Sequence, residues 1–102
     1  MMFTGTVQPL SDDSHTFVVS QSGEVDITLT AAGPPATIQM GIGLGNPTGN
    51  TCPHNVSETK YIQAGTSAQV STTLSPGTYC VDVFDFGNAA QPITYAITVA
   101  YP

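Results

Sequence analysis

Arginine and tryptophan are absent from the 102 residues, and a single lysine, Lys60, stands against seven acidic side chains for a formal charge of −6. One cation cannot neutralise a phosphate backbone, which excludes a nucleic-acid partner. The same shortage excludes a polybasic membrane-surface anchor. No run approaches the roughly 18 apolar residues of a membrane span, so membrane insertion is not expected. Sustained apolar periodicity of 3.6 residues is lacking too, while Gly, Pro, Thr and Ser recur throughout, which argues against helices of useful length. Disorder is disfavoured, because charge is sparse and 40% of the residues are hydrophobic.

What is present is hydroxyl. Thr occurs 15 times and Ser 8 times, whereas only 8% of residues are charged. Typical domains are about 25% charged, so solubility here rests on hydroxyls, amides and a few carboxylates, a surface suited to the outside of a cell. Thr also favours strands, because its β-branched side chain fits a pleated sheet. Period-2 alternation is clearest at the end of the chain. There Ile93, Tyr95, Ile97, Val99 and Tyr101 share one face, and Thr94, Ala96, Thr98 and Ala100 the other. Val25, Ile27 and Leu29 form a second buried row, and Tyr79, Val81 and Val83 a third.

Eight strands are expected, over about 3–7, 15–20, 24–30, 37–45, 58–63, 68–74, 78–85 and 92–100. Turn signals such as Gly33-Pro-Pro35, Asn46-Pro-Thr-Gly-Asn50 and Ser75-Pro-Gly77 separate them. Short strands with one apolar face each predict two antiparallel sheets packed face to face, an all-β sandwich of jelly-roll type, with a closed barrel as the alternative. No boundary divides 1–102, so one domain is expected.

The two cysteines, Cys52 in a loop-like stretch and Cys80 in a strand-like run, predict one disulfide and an oxidising compartment. Closing that loop is worth roughly 3.5 kcal/mol in chain entropy. Cys80 alternates away from Tyr79, Val81 and Val83, so the bridge is expected to pin the Cys52 loop onto the outer face of a sheet. Two separate thiols, or a metal site adding His54, are the alternatives, although no fourth ligand is evident. An exported protein also needs a targeting segment, expected here to have been removed.

The motifs of catalysis are weak. His15 reads as a strand-start residue and His54 as a loop residue, and no Gly-x-Ser-x-Gly elbow places a nucleophile beside a base. No enzymatic activity is expected. Asp82, on the outward side of its strand, Asp85 at the strand end and Asn88 in the next turn are candidate oxygen ligands for calcium, which takes six to eight. The competing reading is turn chemistry, in which Asp and Asn bond their own backbone; Asp12-Asp13 is also expected to be a turn, and no cofactor is required. Gly41-Ile-Gly-Leu-Gly45 lacks the Lys-Ser/Thr of a phosphate loop. As a strand it places Met40, Ile42 and Leu44 on one face and a bare glycine face on the other, open to the Cys52 loop, to a ring or to a ligand. Asn55-Val-Ser57 matches a glycosylation sequon.

Five segments in order carry a family likeness: Phe3-Thr-Gly-Thr-Val7, His15-Thr-Phe-Val-Val19, Ser22-Gly-Glu-Val-Asp-Ile-Thr-Leu29, Pro76-Gly-Thr-Tyr-Cys-Val-Asp-Val83 and Tyr95-Ala-Ile-Thr-Val99. Over nearly its whole length the chain resembles the bacterial pre-peptidase C-terminal domain of secreted proteins and lipoproteins. The resemblance implies a secreted, non-catalytic β-sandwich, with some relatives binding collagen or other polymers and some calcium. The chain departs from that family in its two cysteines, and no binding residue carries over. The expectation is an extracellular accessory or adhesion-type domain that presents a surface to a polymer, a cell surface or a partner protein. A structural subunit that self-associates through sheet edges is the alternative.

Overall fold

The structure, a computed structural model, describes residues 1–101, without the side chains of 54–58. The expectations for the His54 side chain and the Asn55-Val-Ser57 sequon lie outside the described residues. Eight strands are present: β1 (Met2–Val7), β2 (Asp12–Val19), β3 (Gly23–Gly33), β4 (Met40–Gly45), β5 (His54–Ile62), β6 (Val70–Leu74), β7 (Gly77–Phe84) and β8 (Ile93–Ala100). They form two four-stranded sheets, ordered β1-β8-β3-β6 and β2-β7-β4-β5, with every pairing antiparallel.

That order is a jelly roll. β1 pairs with β8, β2 with β7, β3 with β6 and β4 with β5. The chain is therefore one long double-stranded ribbon folded at the β4–β5 tip and rolled up. Rolling adds the pairings β3–β8 and β4–β7, which close the two sheets. The inner rows meet between the sheets. Val25, Ile27 and Leu29 from β3 and Ile93, Tyr95, Ile97 and Val99 from β8 pack against Met40, Ile42 and Leu44 from β4 and Val81 and Val83 from β7, all buried. The outer face of β1-β8-β3-β6 carries the complementary positions, among them Thr4, Thr6, Thr28, Thr94 and Thr98, so the abundant threonine covers one sheet with hydroxyls.

Four strands differ from the expected bounds by three residues or more, among them β4, which begins at Met40 and not 37. β2 begins at Asp12, not 15, because Asp12 and Asp13 pair with Phe84 and Val83; the turn expected at Asp12-Asp13 lies instead at 8–11, where Ser11 N–H bonds Gln8 O at 3.0 Å. β3 runs on to Gly33 after a register shift between Leu29 and Ala31, still paired with β8. β5 starts at His54, so the stretch after Cys52 is strand and not loop. Its register is irregular: Gly43 faces Thr59, but Gly45 faces His54, a bulge that inserts extra β5 residues opposite Leu44.

Because Ile97 is fully buried and Thr98 lies on the outer face between Met2 and Thr28, adjacent residues should differ sharply in cost. Ile97→Ala is expected to destabilise by roughly 2–5 kcal/mol through lost burial and a residual cavity. Thr98→Ala should stay within about 0.5 kcal/mol. Chemical denaturation of both variants checks this, and equal losses would contradict the face assignment.

Candidate functional site

The outer face of β2-β7-β4-β5 gathers most of the residues singled out in the sequence. Directly paired residues on antiparallel strands share a face, so the register defines three rows across the sheet. The first is Asp12, Phe84, Gly41 and Tyr61; the second is Ser14, Asp82, Gly43 and Thr59; the third is Thr16, Cys80 and Gly45. The β4 column is all glycine, as its alternation implied.

In the third row Cys80 is bonded to Cys52, with their Cα atoms 5.9 Å apart. The bridge sits on the outer face, as Cys80's alternation predicted, and buries both cysteines. Cys52 and Cys80 therefore hold no metal. In the first row, the glycine gap is filled by a ring: a Cβ at Gly41 would collide with the Phe84 ring. Phe84 thus leans across β4 toward Tyr61, edge-on with ring centroids 6.0 Å apart. Tyr61 also meets Phe86 edge-on at 4.7 Å. Tyr61 is 56% and Phe86 40% exposed, large values for aromatic rings. Sequence reasoning missed this cluster, because Tyr61 and Phe86 are far apart in the chain. The glycine run was the available signal, since a bare column invites a neighbouring ring.

The second row holds a buried acid. Asp82 is on the outer face, as expected, yet only 6% exposed. Burial first, then a hydrogen bond and charge from Asp12 and the charge of Asp13, push its carboxyl up to about 8. At neutral pH Asp82 is therefore protonated, and its O–H donates a hydrogen bond to Asp12.

Asp82, Asp85 and Asn88 have separate hydrogen-bond partners. Asp82 pairs with Asp12. Asp85 instead ties two loops together: its Oδ2 accepts Leu10 N–H at 2.8 Å, and its Oδ1 accepts Asn88 N–H and Ala89 N–H at 3.0 Å each. Burial alone would raise Asp85, but the backbone N–H groups of Leu10, Ala89, Gly87 and Asn88 outweigh it and hold the carboxyl below its usual range. The bond to Leu10 also holds that residue in a left-handed conformation, φ 59°. Asn88 donates its side-chain N–H to Gln39 O at 3.2 Å. Among the described residues no group of three or more His, Cys, Asp or Glu is placed to hold a metal ion.

A second polar cluster fastens the seam where β1 and β2 meet at the sandwich edge. Tyr95 OH donates to Asp13 Oδ2 at 2.6 Å, so the 2.6 Å contact between His15 Nε2 and that hydroxyl has the imidazole donating. His15 Nε2 lies 3.6 Å from Asp13 Oδ2, and Phe3 stacks on the imidazole at 4.6 Å. Gly5 is the residue whose small size permits this, since a Cβ there would collide with the Asp13 carboxylate and the Tyr95 hydroxyl. Burial, then the bond and charge of Asp13, hold the proton on Tyr95 far above its ordinary range. A nucleophile needs the opposite perturbation. His15 is thus no strand-start residue but part of a half-buried link between the two sheets.

Two carboxylates titrate with opposite sign. The unfolded chain releases the Asp82 proton near 3.8, whereas the folded chain keeps it to about 8. The folded form binds more protons between those values, so stability falls as pH rises through that window, by on the order of a few kcal/mol. Asp82→Asn retains an N–H donor toward Asp12. It should flatten the decline between pH 5 and pH 8 and raise the melting temperature at pH 8; an unaltered slope would place the titration elsewhere. Asp85 is depressed, so its contribution is present above the unfolded value and lost as pH falls through the folded one. Asp85→Ala leaves three N–H donors without their acceptor and should cost about 1–3 kcal/mol in denaturant unfolding at pH 7.

Compared with known proteins, the chain matches no protein-family model and no curated protein.

Proposed function

We propose that the chain is a non-catalytic extracellular accessory or adhesion-type domain that binds a polymer, a cell surface or a partner protein through the outer face of β2-β7-β4-β5. The observation that carries this reading is the exposed aromatic cluster. Tyr61 is held edge-on between Phe84 and Phe86, so the exposed rings of Tyr61 and Phe86 are already ordered when a ligand arrives. Ordered, solvent-exposed aromatics bind flat apolar surfaces with little loss of side-chain entropy. A net charge of −6 turns polyanions away. The disulfide is compatible with an oxidising compartment, and secretion is part of the proposal. The likeness to the pre-peptidase C-terminal domain supports the same reading through its turn and strand motifs.

The edges bear on self-association. β5 is an edge strand, and it carries the one lysine of the chain, Lys60, exposed to solvent. A lysine on an edge strand opposes pairing there, whereas the other three edge strands, β1, β2 and β6, carry no lysine, which keeps the self-associating subunit as the alternative. An array of neutral and charged glycans together with collagen tests the proposal. Binding to at least one immobilised polymer is expected, with loss of signal in Tyr61→Ala at an unchanged melting temperature. Light scattering that shows concentration-dependent growth, with no binding on the array, would overturn it in favour of the self-associating subunit.

A further inference from the structure

The first row of the outer face has a polarity of its own. Register places Asp12, Phe84, Gly41 and Tyr61 in line across four strands. Three strand spacings of about 4.8 Å make this strip roughly 14 Å long, the scale of a short oligosaccharide. Its Tyr61 end is aromatic and exposed, with Phe86 set edge-on beside it. The Phe84 ring bridges the glycine gap, so the rings form a continuous strip with no side chain rising from β4. Its other end is acidic. Asp12 is exposed, and its carboxyl group hydrogen-bonds that of buried Asp82. Lys60 neighbours Tyr61 in sequence, but it pairs with Ile42 and so belongs to the alternate register, off this row.

Aromatic faces and a carboxylate on one strip share a preference. The negative π-face attracts a cation, and so does the carboxylate. The whole chain, at −6, adds a long-range field of the same sign. A pyranose ring offers an apolar C–H face to a flat aromatic surface, and an amino substituent at its rim places an ammonium group within reach of a ring or a carboxylate. We propose that this row is a subsite for ammonium groups carried on a polysaccharide, a polymer of deacetylated amino sugars. The proposal rests on the binding-face reading above and specifies its ligand class.

Titration calorimetry at pH 6 with three soluble oligomers of equal length tests it: deacetylated glucosamine, its N-acetylated form and a neutral glucan. The deacetylated oligomer is expected to bind at least tenfold more tightly than the other two and to weaken as salt is raised. Tyr61→Ala and Asp12→Asn should each lower affinity about tenfold, whereas Thr4→Ala, on the outer face of the other sheet, should not. Melting curves accompany each variant. Should Asp12→Asn unfold, Tyr61→Ala and the salt dependence still decide the matter. Equal binding of the N-acetylated or neutral oligomer would overturn the ammonium subsite while leaving the binding face standing. Unchanged affinity in Tyr61→Ala would overturn the site. Poly-lysine competing at lower concentration than the amino-sugar oligomer would overturn the ligand class in favour of a basic peptide. A failure of every oligomer to bind would overturn the inference, and the polymer array would then judge the broader function separately.

Discussion

The position of β7 between β2 and β4 is the constraint on which the outer face depends. A strand in the middle of a sheet has both of its neighbours dictated by register, so its side chains face fixed partners on either side. One face of β7 gives Val81 and Val83 to the core. The other gives Phe84, Asp82 and Cys80, and each of these faces a glycine of β4. A glycine opposite a side chain frees the volume of one residue. Three different groups use that space: a ring leans across Gly41, an acid sinks beside Gly43, and a disulfide lies beside Gly45. Both faces of β7 are therefore buried, although only one belongs to the core.

Burial on the outer face changes the chemistry of the carboxylates more than their number does. Seven acidic residues with one lysine look like a uniformly repelling surface. Two of the buried carboxylates are instead managed separately. Asp82 remains neutral and donates to Asp12, and Asp85 is surrounded by backbone N–H groups that favour its charge. Half-buried Asp13 accepts from Tyr95 at the seam between the sheets. Carboxylates thus take over tasks that salt bridges perform in lysine-rich proteins, by accepting from backbone, hydroxyl and carboxyl donors.

The outer faces of the two sheets have different characters. That of β1-β8-β3-β6 is a lawn of threonine hydroxyls, well hydrated and without large rings. That of β2-β7-β4-β5 carries the aromatic cluster, the shared proton and the disulfide. An ordered apolar surface beside a carboxylate is a costly thing to leave in water unless something covers it, and this asymmetry is why the proposed function is assigned to one face.

The sequence by itself determined the strands, their inward rows and the disulfide. Period-2 alternation is a local property, read directly from runs such as Ile93 to Tyr101, and two cysteines allow a single intrachain pairing. The eight elements and the sandwich were legible for that reason. The start of β2 was not, because Asp12 and Asp13 are turn formers by local preference and become strand only by pairing with Phe84 and Val83. The site was legible one residue at a time: the glycine column, the outward direction of Asp82 and the outer-face bridge could all be read. Their company could not. Asp82 meets Asp12 rather than Asp85, His15 meets Tyr95 and Asp13, and Tyr61 meets Phe84 and Phe86. Each of these contacts joins strands brought together by the roll of the ribbon. Register between strands distant in the chain is set by core packing as a whole, and no local pattern encodes it.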